Sequence, residues 1–182
     1  MTEHFADNQE TKYTRLEYER RFVVSAHADW RSAAEPYSKR FEDKYLAGTR
    51  LRLRIQTDLD TGRQLIKLTK KVESSSPYCH TISRILLSPS EYDLFEGLEG
   101  YRLKKVRYYH HYFGRVFSID VFEGELEGLV LCETEAEGLE ELMLIEPPPY
   151  ANHEVTEDPF FTGGNLCRTG RTELLRKLSA LK

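Results

Sequence analysis

Thr14–Val24 carries the sequence TRLEYERRFVV, in which charged side chains recur at every second position. Because successive side chains of a β-strand point to opposite faces, this spacing places Glu17, Glu19 and Arg21 together on one face. A single strand of this kind is explained by an ordinary sheet face exposed to water. The pattern becomes informative because other segments of the chain repeat it.

Four further segments also place charged side chains on one face of a strand. The clearest is TRLRLRI at Thr49–Ile55, whose three arginines alternate with apolar residues. Like charges two residues apart repel, so such a face is either bathed in water or held by a ligand of opposite charge. The repeated same-face groups are Arg50, Arg52 and Arg54; Lys67 and Lys71; Lys105 and Arg107; and Glu133 and Glu135. The cationic groups predict a strongly anionic ligand.

Eight segments have the alternation or β-rich composition of strands, and the links between them are mostly short. The predicted strands are Thr14–Val24, Tyr37–Leu46, Thr49–Ile55, Gln64–Val72, Thr81–Leu87, Arg102–Tyr112, Val116–Phe122 and Leu129–Glu137. Eight mainly antiparallel strands are enough to close a sheet and remove its exposed edges. The sequence therefore predicts a mainly β (α+β) fold, a closed eight-stranded antiparallel barrel that forms a tunnel.

The remaining segments predict a few peripheral helices around one domain that spans residues 1–182. Within it we expect a mobile arm at 1–12, the barrel at 13–137, and a loop with a C-terminal helix at 138–182. The predicted helices are Asp29–Ala34, Glu91–Leu98 with Ser90 as its cap, Leu139–Leu144 and Thr172–Leu181. The last of these has a leucine-rich side, so it should dock on the barrel or plug one end.

Composition limits the classes of partner. The 182-residue chain has a formal net charge of −4, so it lacks the overall basic field that attracts nucleic acid. No apolar run is long enough to cross a bilayer, and the N-terminus lacks the pattern of a signal peptide. The three widely spaced cysteines, Cys79, Cys132 and Cys167, favour reduced thiols. We therefore expect a cytoplasmic protein that binds neither nucleic acid nor membrane, and we leave a homodimer open.

Five sequence blocks, in order, resemble the CYTH superfamily, the triphosphate tunnel metalloenzymes. They are the Glu-x-Glu-x-Arg of Glu17–Arg21, YLAGTRLRLR at Tyr45–Arg54, LTKK at Leu68–Lys71, KKVRY at Lys104–Tyr108 and DVFEGELEGLVLCETE at Asp120–Glu135. No block is specific alone, but five in register are. The resemblance implies a barrel whose inner wall binds a triphosphate and whose first and last strands hold metal ions.

If the charged faces point inward, they line a hydrated tunnel. Arginines offer forked donors to phosphate oxygens and lysines offer point charges. The expected substrate-binding residues are Arg50, Arg52, Arg54, Lys67, Lys71, Arg84, Lys105 and Arg107. Carboxylates cannot hold an anion directly, so we expect Glu17, Glu19, Glu133 and Glu135 to hold Mg²⁺ or Mn²⁺. For Glu133 and Glu135, salt bridges to neighbouring arginines inside the barrel are the alternative.

Two candidate catalytic residues remain, and each has an open question. Arg21 stands where the family usually has a lysine, and because arginine stays protonated it can bind but cannot act as a base. Asp120 could position the attacking water, or could equally serve a structural hydrogen bond. The family also tends to show two further acids after the position of Arg84, where this chain has Leu86 and Ser88.

These departures leave three functions open. The first is metal-dependent hydrolysis of inorganic triphosphate or of a triphosphate-bearing organic molecule. The second is a non-catalytic module that binds triphosphate or polyphosphate. The third is cyclisation of ATP to cyclic AMP, an activity of some members of the superfamily.

Overall fold

The structure is a computed structural model that describes residues 14–25 and 27–181. The predicted arm at 1–12 lies outside the described residues. Nine strands form one sheet, and all of their pairings are antiparallel. The strands are β1 (Thr14–Val23), β2 (Ser38–Leu46), β3 (Leu51–Asp58), β4 (Gln64–Glu73), β5 (Cys79–Leu87), β6 (Gly100–Tyr112), β7 (Arg115–Phe122), β8 (Val130–Ala136) and β9 (His153–Glu154).

The first eight strands close into a barrel, which confirms the predicted fold. Their order is β5-β4-β3-β2-β6-β7-β8-β1, and β1 also pairs with β5. β1 closes the barrel by dividing its length between two neighbours. Its first half, Thr14–Tyr18, pairs with β5, and its second half, Tyr18–Val23, pairs with β8. The charged face of β1 therefore lies along the seam of the barrel.

β9 was not predicted, because it has only two residues and follows a proline-rich loop. It pairs with the end of β1, at Phe22 and Val23. The backbone N–H of Val155 then donates to the carbonyl of Arg21 at 2.8 Å. This short pairing ties the C-terminal segment to the closing strand.

In the described part of the chain, four α-helices accompany the barrel: α1 (Pro89–Glu96), α2 (Leu139–Met143), α3 (Gly163–Leu166) and α4 (Arg171–Ser179). The prediction that Ser90 caps α1 was wrong. Ser88 accepts a hydrogen bond from the backbone N–H of Glu91, and the Glu91 side chain accepts one from the backbone of Ser88. This reciprocal pairing, followed by a proline at the first helical position, is a stronger start signal than one serine.

The predicted helix at Asp29–Ala34 was also wrong. Residues 31–33 form a turn, closed by bonds from Ala33 to Trp30 and from Ala34 to Arg31. A segment this short nucleates a helix poorly. Packing decides its shape instead, because the Trp30 side chain is buried in the apolar cluster on the outside of the barrel.

Two apolar clusters hold the elements together. The outer cluster covers one side of the barrel, where Phe117, Ile119 and Cys132 pack under α2 and the loop that follows it. Tyr150, in the predicted loop after the barrel, is buried in this cluster, so that loop is anchored to the barrel wall.

The second cluster fills one end of the barrel. Leu103, Phe122 and Leu131, all on the inner side of the wall, meet Phe161, Leu166 and Leu174 from the C-terminal segment. Leu174 of α4 is fully buried, as the leucine pattern predicted, whereas Leu175 is half exposed. The C-terminal segment therefore closes one end of the barrel. Within the described residues, no helix has the length and apolar content of a membrane-crossing segment.

Candidate active site

The barrel encloses a cavity of about 360 Å³ whose lining is strongly charged. Among the described residues, nine cationic side chains and four carboxylates line it. The cations are Arg21, Arg50, Arg52, Arg54, Lys71, Arg84, Lys105, Arg107 and Arg168, and the carboxylates are Glu17, Glu19, Glu133 and Glu135. A protein of net charge −4 thus concentrates positive charge in its interior. Burying this many like charges is costly unless an anion shares the space.

All four predicted metal-binding carboxylates line the cavity, two from β1 and two from β8. Antiparallel pairing places Glu19 opposite Glu135 and Arg21 opposite Glu133. Arg21 bridges two of the acids: its Nη2 lies 2.7 Å from Glu19 Oε1 and its Nε lies 2.8 Å from Glu133 Oε1. Lys71 from β4 also reaches Glu19 Oε1, at 2.7 Å.

The pKa values follow from these contacts. Burial disfavours the charged form of Glu19, but Arg21, His80 and Lys71 outweigh burial and hold its pKa well below the usual range. Burial likewise opposes ionisation of Glu133, and the neighbouring cations, Arg21 first among them, lower its pKa overall. Glu19 and Glu133 are therefore ionised at neutral pH and held by arginine and lysine.

Glu17 and Glu135 differ from Glu19 and Glu133, because fewer cationic side chains lie close to them. Burial, and then the charges of Glu17 and Glu133, raise the pKa of Glu135. Among the described cations, Arg15 is the one that contacts both, at 2.8 Å from Glu17 and 3.8 Å from Glu135. Carboxylates that repel one another beside open cavity are the donor set that a hard divalent cation stabilises. This part of the wall therefore fits a metal ion.

The metal site is not preassembled in this arrangement. Among the described residues, no three carboxylate, imidazole or thiol side chains are already gathered around one point. Arg21 and Lys71 hold one oxygen of Glu19, and Arg21 and Arg107 hold the two oxygens of Glu133.

Arginines of β3 and the turn before it form the opposite, cationic wall. Arg54 makes a two-pronged ion pair with buried Asp43, at 2.5 and 2.6 Å. Arg52 reaches Asp43 only at 4.0 Å, and its Nε is buried without a hydrogen-bond partner. Arg50 lies at the exposed rim of the cavity. Arg54 is thus held in place, while Arg52 keeps donors for a ligand.

Lys105 and Arg107 of β6 also line the cavity, but Asp120 does not. Asp120 is fully buried in the wall and ion-paired with both Lys105 and Arg107. Burial opposes its ionisation, yet these two cations drive its pKa far below the usual range. A carboxylate sealed from the cavity cannot contact an attacking water there. The geometry favours the structural one of the two roles predicted for Asp120.

Two further predicted cations occupy different positions. Arg84 lines the cavity and lies 4.0 Å from Glu17. Lys67 lies two residues before Thr69 on the same face of β4, but it is not among the residues that line the cavity. Its side chain donates a hydrogen bond to Gln56 at 2.8 Å. Partial burial, followed by the charges of Arg84 and Arg54, lowers the pKa of Lys67 to about 8.

Leu86 and Ser88 sit where the resemblance would place two more acids. Leu86 is paired with Lys67 across β4 and β5, and its side chain is exposed. Ser88 lies beyond the end of β5 and caps α1. β5 therefore adds no carboxylate to the cavity.

Sequence reasoning missed several residues that line the cavity. The predicted strand began at Thr81 and so left out His80, which is the second residue of β5 and alternates with Ile82 and Arg84 on the inner face. Tyr45 alternates in the same way with Asp43 on β2. The C-terminal lining had no periodic signal, because it belongs to short turns: Thr162, Gly163, Gly164, Asn165, Leu166 and Arg168.

Taken together, the cavity presents donors for an extended anion on one wall and oxygen ligands for a cation on the other. Each carboxylate that is held now is held by a cation that could bind phosphate instead. Such an arrangement can exchange internal ion pairs for a phosphate chain and its counter-ion.

Proteins named as inorganic triphosphatases are similar to this chain in sequence and in fold. The chain is 30% identical over 144 residues to an inorganic triphosphatase from Nitrosomonas europaea, a match that covers 78% of this chain and 90% of that protein. It is also similar to the crystal structure of the inorganic triphosphatase NE1496, with a TM-score of 0.55 and 25% identity over 84% of this chain and 95% of the other. No protein-family model matches the chain.

A third likeness concerns the fold alone. The PH1819 protein from Pyrococcus horikoshii has a TM-score of 0.54 at 17% identity, over 89% of this chain and 99% of the other. The extent of the first match, the closed barrel and the charged cavity lead to one conclusion. This chain belongs to the family of the inorganic triphosphatases within the CYTH superfamily.

Proposed function

We propose that the protein is a cytosolic phosphohydrolase that uses Mg²⁺ or Mn²⁺ to cleave inorganic triphosphate, releasing orthophosphate. The observation that carries this proposal is the cavity, where nine cationic side chains face four carboxylates inside a closed barrel. The named activity of the Nitrosomonas europaea relative supports the same substrate. The absence of a global basic charge supports a small anion rather than a nucleic acid.

Substrate binding would proceed by exchange of ion-pair partners. Arg21, Lys71 and Arg107 now neutralise Glu19 and Glu133. A triphosphate entering the cavity offers these cations oxygens of higher charge density. As they turn to the phosphates, the carboxylates become free to accept a divalent cation. Anion and metal would therefore bind cooperatively.

The residues fit that cation chemically. Glu17, Glu19, Glu133 and Glu135 would hold it with hard oxygen ligands, and the mutual repulsion of Glu17 and Glu135 would be relieved. A bound Mg²⁺ or Mn²⁺ supplies neutralisation of the charge that develops on phosphate oxygens.

The arginines of the cavity would contribute by positioning the triphosphate. Arg54 and Arg107 are held rigidly by Asp43 and Asp120, so their remaining donors point at fixed places in the cavity. Arg52, with its unpartnered Nε, would complete the grip on the non-bridging oxygens. Phosphoryl transfer to water needs this alignment and charge stabilisation more than it needs covalent help.

The closed end of the barrel favours a compact substrate. Phe161 and Leu166 occupy the space where an organic group could otherwise pass through. We therefore expect inorganic triphosphate to be a better substrate than a nucleoside triphosphate.

A phosphate-release panel tests the proposal directly. Purified protein is incubated with inorganic triphosphate, ATP and a longer polyphosphate, each without metal and with Mg²⁺ or Mn²⁺. We expect metal-dependent release of orthophosphate, fastest with inorganic triphosphate. Tight binding of triphosphate with no turnover under any condition would instead identify a binding module. Cyclic AMP as the product from ATP would identify a cyclase.

A further inference from the structure

Two lysines on the inner face of the barrel lie beside the cationic wall of the cavity. Lys67 of β4 pairs directly with Arg54 of β3, and Lys39 of β2 pairs directly with Arg107 of β6. Both arginines line the cavity, whereas the lysines are not among the described residues that line it. We call Lys39 and Lys67 the mouth lysines, because they lie toward the end of the barrel opposite to the one that the C-terminal segment fills.

The position of Lys67 extends the cavity wall outward. On β4, Lys67 is one same-face step, about 7 Å along the strand, from Thr69, which lines the cavity. On β3 the matching step leads from Arg54 to Gln56, whose side-chain oxygen accepts the hydrogen bond of Lys67. An extended anion that fills the cavity and continues by about this distance reaches the amine of Lys67.

The mouth lysines lack the counter-charges that their neighbours have. The two cavity arginines beside them are each held by a buried aspartate. In the described part of the chain, neither lysine forms an ion pair with a carboxylate: Lys67 donates to a neutral amide, and Lys39 Nζ lies 5.3 Å from the centre of the Tyr109 ring. After partial burial, the charges that lower the pKa of Lys67 are all cationic, Arg84 first among them. Like charges directly opposite across a strand pair are destabilising, so this part of the wall favours an anionic ligand.

A phosphate chain supplies negative charge at the required place. Linear polyphosphate carries charge on every phosphate group, so a chain longer than triphosphate brings further oxygens to the mouth lysines. Because the cavity already holds such a chain, the second contact forms at a high effective concentration, whereas a free anion would have to bind to the two lysines alone. We propose that Lys67 and Lys39 bind the phosphate groups of a linear polyphosphate that extend beyond the three in the cavity, which makes chain length a determinant of affinity. This inference rests on the proposed binding of triphosphate in the cavity.

The contacts of the mouth lysines would act on binding rather than on the chemical step. They lie outside the cavity and would be equally strong in the bound substrate and in the transition state. Contacts of this kind lower KM without raising kcat. Tighter binding of a longer chain is therefore compatible with fastest turnover of inorganic triphosphate.

Calorimetric titration of linear triphosphate and tetraphosphate into metal-free protein, at one ionic strength, tests the inference. Native protein should bind tetraphosphate about tenfold more tightly than triphosphate, the worth of one charge-assisted hydrogen bond. Lys67→Met should reduce this ratio several-fold, as should Lys39→Met, and Lys67→Arg should preserve it because the charge remains. Lys70→Met, on the exposed face of the same strand, also removes one charge and is the control that should keep the native ratio.

Three results overturn the inference: equal affinities of native protein for the two chains, a native ratio in Lys67→Met, or an equal reduction in Lys70→Met. Orthophosphate is titrated in parallel. If Lys67→Met loses orthophosphate binding but keeps the native chain-length ratio, the mouth lysines bind a free anion and the inference is wrong. If Lys67→Met does not fold, as judged by circular dichroism, Lys67→Gln takes its place.

The outcome is independent of turnover. A protein that shows the Lys67-dependent ratio without cleaving triphosphate would retain this inference and lose the proposed function. A triphosphatase whose affinity does not depend on chain length would retain the proposed function and lose this inference.

Discussion

Arg107 and Asp120 form a two-pronged ion pair within the barrel wall. Nε of Arg107 lies 2.6 Å from one carboxylate oxygen and Nη2 lies 2.6 Å from the other, while Asp120 is fully buried. Nη2 of Arg107 also reaches Glu133 at 2.8 Å. Asp120 thus fixes the plane of a guanidinium that faces the cavity.

Replacing Asp120 should therefore affect the fold first and binding second. In Asp120→Asn, Arg107 and Lys105 lose their buried counter-charge, and we expect a loss of about 3–5 kcal/mol in the free energy of unfolding. Urea denaturation measures it. Asp158→Asn, which removes the surface charge paired with Lys177 and keeps an oxygen that can accept from the Phe160 N–H, should cost less than about 1 kcal/mol. Unchanged stability with a large fall in kcat would instead indicate that Asp120 positions the attacking water.

The bridge that Arg21 makes between Glu19 and Glu133 should compete with metal binding. A lysine in its place has one compact ammonium and cannot contact both acids with the same fork. We expect Arg21→Lys to free a carboxylate and tighten Mn²⁺ binding several-fold, measured by calorimetry without substrate. Arg20→Lys is the matched control, since Arg20 points outward and pairs with Glu154. Equal or weaker Mn²⁺ binding by Arg21→Lys would show that Arg21 does not limit the site.

Arg52 should contribute directly to the affinity for triphosphate. Its Nε has no partner in the described structure, so Arg52→Ala removes ligand contacts while breaking few internal ones. We expect binding to weaken by roughly 1–3 kcal/mol, through the loss of charge-assisted hydrogen bonds. Titration of triphosphate into metal-free protein provides the measurement. Arg40→Ala, which alters an exposed pair with Glu123, should leave the affinity unchanged, and equal losses in both variants would contradict a specific role.

The alternation of charges predicted most of this site because a closed barrel has only two faces. Arg52 and Arg54 share the inner face of the sheet with the carboxylates of β1 and β8, so the register of the strands turns all of these side chains toward the cavity. The same logic would have included His80, had the start of β5 been placed two residues earlier. Asp120 shows the limit of periodicity, because an inward register does not reveal whether a neighbouring cation covers the side chain.

The closed end of the barrel could not be predicted in detail. It is built by β9, α3 and turns that are too short to leave a periodic pattern, so packing rather than propensity determines them. By contrast, α4 was predicted from its leucine-rich side, which includes Leu174. The reciprocal cap of Ser88 and Glu91 was visible in the sequence, and Ser90 was the wrong choice because the proline at position 89 fits the first helical position better.

Lys67 should make stability depend on pH. Its pKa is lowered to about 8 by partial burial and by neighbouring arginines, whereas an unfolded chain would have the ordinary value of about 10.4. Below pH 8 the folded protein bears the full cost of this charge, and the cost disappears as pH rises through 10. Lys67→Met should therefore stabilise ligand-free protein at pH 7, by on the order of 1 kcal/mol after solvent screening, with less gain at pH 9.5.

Thermal unfolding at the two pH values measures the effect. Lys70→Met on the exposed face of the same strand is the control and should show no pH-dependent gain. If Lys67→Met destabilises the protein equally at both pH values, the hydrogen bond to Gln56 matters more than charge repulsion.

Adjacent glycines in α3 test how the C-terminal segment closes the barrel. A Cβ atom added at Gly163 would lie 1.9 Å from the Tyr45 hydroxyl, whereas one added at Gly164 would meet nothing within 4 Å. We expect Gly163→Ala to displace α3 from the partly buried Tyr45 ring, at a cost of about 1–3 kcal/mol in the free energy of unfolding. Gly164→Ala should be neutral or slightly stabilising, because it only restricts the unfolded chain.

This pair of variants tests whether closure of the barrel end selects the substrate, because Tyr45, Gly163 and Leu166 all line the cavity. If closure excludes organic groups, Gly163→Ala should raise the ratio of ATP to inorganic triphosphate hydrolysis, and Gly164→Ala should not. Phosphate release from each substrate, measured beside urea unfolding, gives both quantities for the same samples. A stable Gly163→Ala variant with unchanged substrate ratio would show that Tyr45 yields to the methyl group and that α3 does not set the size of the substrate.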